Sequence, residues 1–188
     1  MFGNIVVLIL FATVTKCYSL EDPPIRSKNT FQQFWSDNSE MWTYQSSNKD
    51  YQPCRREQRE AITQFEFNLT ESYKSKDEHR NSESWSFLIS SRNETYDSMW
   101  KMYPEERNSA VGQTLLLNKS EGPCAVVKYE VFKEDDATSA GFTQTTHYNL
   151  LAGGEDPATA AKQCEEEYQK HVKSGDKTLY NAGCKKSK

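Results

Sequence analysis

The sequence predicts an all-β barrel, preceded by a short helix and carrying one late amphipathic helix on its wall. Three observations support this expectation. Polar turns divide the middle of the chain into strand-length segments, a well-marked helix follows them, and four of the five cysteines are spaced to tie that helix and the chain end to a sheet.

The N-terminus sets the compartment. Residues Ile5 to Val14 form an apolar run too short for the roughly 20 helical residues that span a bilayer. Cys17-Tyr18-Ser19 offers a small residue for cleavage after Ser19, so 1–19 reads as a signal peptide and 20–188 as one domain. Cys17 leaves with the leader. The remaining even set of cysteines, in an oxidising compartment, favours disulfides over metal binding or catalysis. No later apolar run is long enough to cross a membrane, so a secreted, extracellular protein with no membrane partner is expected. The sequons at Asn68, Asn93 and Asn118 agree with this, and each must face solvent if glycosylated. A net charge of −4 leaves no electrostatic footprint for nucleic acid, and Lys185, Lys186 and Lys188 read as a solvated tail.

Residues 21–29 are polar and contain Pro23-Pro24, an irregular lead-in. Thr30 then caps a short helix whose Phe31, Phe34 and Trp35 share one face. From Met41 onward, strands are expected at 41–47, 60–70, 84–91, 95–103, 111–118, 124–132 and 142–152, with the eighth member of an eight-stranded barrel not located. Within 60–70, holding Asn68 outward turns Phe65, Phe67 and Leu69 inward. By the same alternation Leu115 and Leu117 face inward, as do Ala125, Val127, Tyr129 and Val131, because Lys128 and Glu130 prefer water.

The late helix has the clearest boundaries in the chain. Asp156 suits the N-cap, Pro157 the first helical position and Gly175 a left-handed C-terminal cap. Ala160, Cys164, Tyr168 and Val172 form its apolar stripe. Cys124 shares the outward parity of Lys128 and can meet Cys164, after which Cys54 would pair with Cys184. Spacing alone leaves all three connectivities open.

Short strands at intervals of roughly 8–15 residues plus one late helix describe an up-and-down lipocalin barrel. The general Gly-x-Trp signature is missing, since the first strand reads Met41-Trp42-Thr43-Tyr44. The chain resembles the tick salivary lipocalins of the histamine-binding group across nearly all of residues 20–188. The resemblance rests on the four cysteines, Pro-Cys-Ala-Val-Val at 123–127, His147-Tyr148-Asn149-Leu150, and the Asp-Pro helix in which Cys164 precedes Tyr168. It implies pairing of the first cysteine with the last and of the middle two with each other. It also implies sequestration of small host mediators, without chemistry or cofactor, by a monomer.

Carried over residue by residue, the family's amine-binding acids are mostly absent. Asp50 and Tyr51 match an aspartate and an aromatic before the first cysteine, but Ala125, Leu115 and Asn149-Leu150-Leu151 stand where amine binders hold acids. A protonated amine entering a barrel needs carboxylates or aromatic faces to offset lost hydration. Asp50 with Trp42, Tyr44, Tyr51, Trp85 and Trp100 would give one such site. A lumen with Phe67 on its wall and Tyr129, His147 and Asn149 as polar handles suits a leukotriene or fatty acid as well. Plainer roles exist for all of these: Asp50 as a solvated turn residue, the aromatics and His147 as barrel filling.

Catalysis has little support. His79, His147 and His171 show no paired metal-ligand spacing, and no nucleophile elbow or phosphate loop is present. A third reading is a barrel that blocks a host protein with the polar loops at 72–82 and 134–140.

Overall fold

The computed structural model describes residues 30–73, 81–88, 97–103, 109–119, 123–134, 141–172 and 175–186. The expected signal peptide and lead-in, His79, Asn93 and most of the loops at 72–82 and 134–140 lie outside the described residues.

Helix α1 (Thr30–Asp37) precedes strands β1 (Glu40–Ser46), β2 (Arg56–Ile62), β3 (Glu66–Ser72), β4 (Asn81–Phe87), β5 (Ser98–Tyr103), β6 (Ser109–Lys119), β7 (Cys124–Glu134) and β8 (Phe142–Ala152). Each strand pairs antiparallel with the next, and β1 pairs with both β8 and β2, so the eight close into an up-and-down barrel. Helix α2 (Pro157–His171) and the two-residue strand β9 (Lys177–Thr178) follow. Strand β9 pairs with Gln45 and Ser46 of β1, beyond the stretch in which β1 pairs with β2.

The expected strand at 60–70 is two strands, and this supplies the eighth member of the barrel. Thr63 makes the corner: its amide and hydroxyl both donate to the Glu66 carbonyl, at 2.8 and 2.9 Å, and its hydroxyl accepts from the Phe65 and Glu66 amides. Phe65 therefore sits in a turn, 50% exposed, and not inside the barrel. Phe67 and Leu69 do face inward.

A bulge between Leu115 and Leu117 produces a second departure. One extra residue reverses the alternation beyond it, so Leu115 joins the interior while Leu117 packs outside, under α2. Ala125, Val127, Tyr129 and Val131 all face the interior.

Helix α1 lies across one end of the barrel. Its buried Phe31, Phe34 and Trp35 join the interior cluster, Trp35 meets Phe67 at 5.6 Å, and Phe67 stacks on Phe87 at 5.2 Å. The Gln32 side chain donates to the Thr63 carbonyl and fixes the helix to the β2–β3 turn. Burying each of these rings stabilises the fold by roughly 2–3 kcal/mol, so the barrel has an apolar, helix-covered floor.

On the outside, Asp156 accepts from the Ala158 and Thr159 amides and starts α2 at Pro157. Ala160, Cys164, Tyr168 and Val172 pack on Cys124, Val126, Leu150 and Ala152. The helix ends at extended Val172 rather than at a left-handed glycine cap; Gly175, at φ 84°, lies beyond it. Cys124 is bonded to Cys164, and Cys54 to Cys184. The latter bond joins an outer cluster with Trp42 and Tyr180, and the Cys54 amide donates to the Leu179 carbonyl.

Candidate functional site

Above the apolar floor the barrel interior is charged. Arg55, directly after Cys54, points inward and is 1% exposed. Its Nη2 lies 2.7 Å from Glu57 and 2.6 Å from Glu71, its Nη1 donates to Thr43 Oγ1 at 2.8 Å, and the guanidinium covers the Tyr51 ring at 4.6 Å. Glu57 and Glu71 face each other across β2 and β3. The Tyr73 hydroxyl donates to the second oxygen of Glu71 at 3.1 Å. Alongside, Lys101 of β5 pairs with Glu83 of β4 and lies over the rings of Trp85 and Tyr103, at 4.4 and 4.7 Å. The Tyr103 hydroxyl donates to Glu83 at 2.8 Å.

Among the described residues three carboxylates thus face two cations in a low-dielectric interior, an excess of one negative charge in this set when all are ionised. Desolvation of each ion costs several kcal/mol unless partners compensate. Burial opposes the charge on Arg55, but Glu57 and Glu71 outweigh it and hold the guanidinium protonated. Burial also opposes the charge on Glu71, where Arg55 and Lys101 prevail and lower its pKa. At Glu57 burial wins despite Arg55, and the pKa is raised. Glu57 Oε2 has no hydrogen-bond partner.

The neighbouring wall is aromatic. Tyr51, from the loop between β1 and β2, reaches inward until its hydroxyl lies 2.9 Å from His147 Nε2. His147 stacks on Tyr129 at 4.5 Å, and Tyr129 meets Trp85 edge-on at 6.3 Å. Burial, and secondarily Arg55, lowers the His147 pKa to about 4, so its imidazole is neutral at physiological pH. Burial likewise raises Tyr51 and Tyr129, keeping both phenols protonated. Ser46 donates to Asn149 at 2.7 Å on the same inner face. Trp85 Nε1 and Gln113 Nε2, like Glu57 Oε2, are buried without a partner.

Of the ten residues expected to contact a ligand, the structure turns Tyr51, Phe67, Trp85, Tyr129, His147 and Asn149 toward the interior. Trp42 and Tyr44 instead pack outside with Tyr180, because the inward row of β1 runs through Met41 and Thr43. Trp100 is 37% exposed on the outer wall, opposite Gly112. Asp50 occupies an exposed turn, where its amide donates to Asn48. Asn68 and Asn118 are exposed. The reading from sequence missed Arg55, Glu57, Glu71, Glu83, Lys101 and Gln113. A signal for two of them was present, since Glu71 continues the inward row of Phe67 and Leu69, and Glu83 that of Trp85 and Phe87.

Among the described residues no group of three or more His, Cys, Asp or Glu is placed to hold a metal, and no helix is long and apolar enough to cross a membrane.

No family model and no curated protein matches this sequence. Solved structures do. Apocrustacyanin C1 superimposes with a TM-score of 0.50 at 14% identity over 78% of each chain. Lobster apocrustacyanin A1 gives 0.44 at 12% identity, covering 86% of this chain and 94% of the other. The closed eight-stranded barrel, the helix on its wall and the first of these superpositions agree. The fold is a lipocalin barrel. At such identities the likeness concerns the fold alone. The interior of this barrel holds an ion network, built largely from strands with little apolar alternation.

Proposed function

We propose that this lipocalin is a secreted scavenger of a small cationic mediator, a biogenic amine of the histamine or serotonin kind, of the sort sequestered by the tick salivary proteins it resembles. The observation that carries this reading is the unpartnered Glu57 oxygen in an interior where, among the described residues, three carboxylates meet two cations. A protonated amine there gains a charge-assisted hydrogen bond, offsets the excess charge and lies beside the aromatic faces of Tyr51, Tyr129 and Trp85. Such binding suppresses host inflammatory defence by removing the mediator, with no reaction. A lipid carboxylate is the second candidate: Arg55 and Lys101 already have carboxylate partners, although Arg55 Nε is left without one.

The two disulfides support an oxidising, extracellular location, and the exposed Asn68 and Asn118 are proposed as glycan carriers. Calorimetric titration with histamine, serotonin, leukotriene and arachidonate tests the reading. Heat with the amines is expected. Heat with the lipids alone would transfer the role to a lipid mediator, and no heat with any of the four would favour a barrel that blocks a host protein.

A further inference from the structure

Buried polar atoms are almost always satisfied, so those that are not point to what the protein receives. Among the described residues the unsatisfied atoms inside this barrel are Trp35 Nε1, Arg55 Nε, Glu57 Oε2, Trp85 Nε1, Ser109 Oγ and Gln113 Nε2, and three of them lie along the charged and aromatic walls that would meet a ligand. Glu57 Oε2 is an acceptor on β2, beside Glu71 and under the influence of Arg55. Trp85 Nε1 and Gln113 Nε2 are donors on β4 and β6. Trp85 is fully buried and Gln113 is 2% exposed. Gln113 stands directly opposite Tyr129 in the β6–β7 ladder and opposite Met99 in the β5–β6 ladder. The Tyr129 ring in turn meets Trp85 edge-on. The two donors therefore flank one aromatic surface, while the free carboxylate oxygen belongs to the charged wall of β2 and β3.

We infer that the lumen reads its ligand at two ends, Glu57 taking the ammonium group while Trp85 and Gln113 donate to a hydrogen-bond acceptor on the ligand's ring. The inference rests on the amine reading above and goes beyond it, since it makes Gln113 and Trp85 the residues that choose among amines. An amine with a bare hydrocarbon ring pairs Glu57 but covers both donors without satisfying them. An amine whose ring carries a hydroxyl, an ether oxygen or an unprotonated azole nitrogen satisfies them as it binds. Sites built around buried donors reject analogues lacking the acceptor far more sharply than apolar pockets reject a missing methylene. Indole and amide N–H groups are donors only in this role, so the selection is for an acceptor rather than for polarity in general.

Three probes separate the possibilities by calorimetry at neutral pH: phenethylamine, tyramine and 4-methoxyphenethylamine. Tyramine and the methoxy compound, which has an ether acceptor and no ring donor, are expected to bind about tenfold more tightly than phenethylamine. Gln113→Met, close to glutamine in volume, is expected to narrow that gap from both sides, weakening the two oxygen-bearing amines and relieving the penalty on phenethylamine. Equal affinity for all three amines would overturn the two-ended reading and leave the amine site standing. Binding of none of the three would remove the amine site itself, and this inference with it. Should Gln113→Met fail to fold, the series on the unmodified protein decides the question alone.

Discussion

Arg55 Nη2 lies 2.7 Å from Glu57 Oε1 within the barrel, with the two side chains only 1% and 2% exposed. The same nitrogen lies 2.6 Å from Glu71. One guanidinium thus compensates two facing carboxylates, and its removal leaves both without their main partner. Arg55→Met is expected to destabilise the fold by roughly 3–5 kcal/mol, the usual cost of breaking a buried pair from one side. Glu57→Gln, which relieves excess negative charge, should cost far less. Urea denaturation of the two variants checks the ordering, and an Arg55→Met as stable as the parent would show that the network does not exist as described.

His147 links stability to acid. Its pKa is about 4 in the folded chain against 6.5 in the unfolded one, so between these values the unfolded chain binds more protons. Stability contributed by the neutral imidazole is complete above about pH 6.5 and lost as pH falls toward 4, an effect of order 3 kcal/mol. The stability of the parent minus that of His147→Gln, followed across this interval, should decline on acidification. A difference that grew instead would mean that His147 is charged in the folded state.

The disulfides join residues 130 and 40 positions apart. In the chain-entropy picture each contributes about 4–5 kcal/mol, the longer loop slightly more. Paired Cys→Ala replacement at 54 and 184 should therefore lower the denaturation midpoint at least as much as the same replacement at 124 and 164. Peptide mapping without reduction should recover the same two pairs, and a Cys54–Cys124 peptide would refute the attachment of α2 to the barrel wall.

Residues on the outer wall and in the exposed turn should not matter to the ligand. Asp50→Ala and Trp100→Ala are each expected to leave amine affinity within about twofold, as truncations outside a binding centre do. A tenfold loss in either would place the site elsewhere than in the charged interior.

What the sequence disclosed follows from where apolar alternation is strong. β7 alternates cleanly, and Ala125, Val127, Tyr129 and Val131 are inside as that pattern requires. α2 announced itself through Asp156, Pro157 and a four-residue apolar stripe. The first part of β2 carries no strand signal because its inward row includes Glu57, so Arg-Glu-Gln-Arg-Glu at its start reads as a solvated loop and only its end falls within the expected 60–70 strand. The same blindness hid the candidate site. Charge ordinarily faces water, whereas here Arg55, Glu71, Glu83 and Lys101 offset the cost of burial by pairing with carboxylates or cations. The bulge after Leu115 is a backbone event with no residue signature, and it alone sent Leu117 outward.

Calorimetric titration of the parent and of Glu57→Gln with histamine shows whether the Glu57 carboxylate receives the amine. One site is expected in the parent, with affinity weakened about tenfold or more in Glu57→Gln and an unchanged fold by circular dichroism. Equal affinity in the two proteins, or no binding to the parent, would contradict the amine site at Glu57.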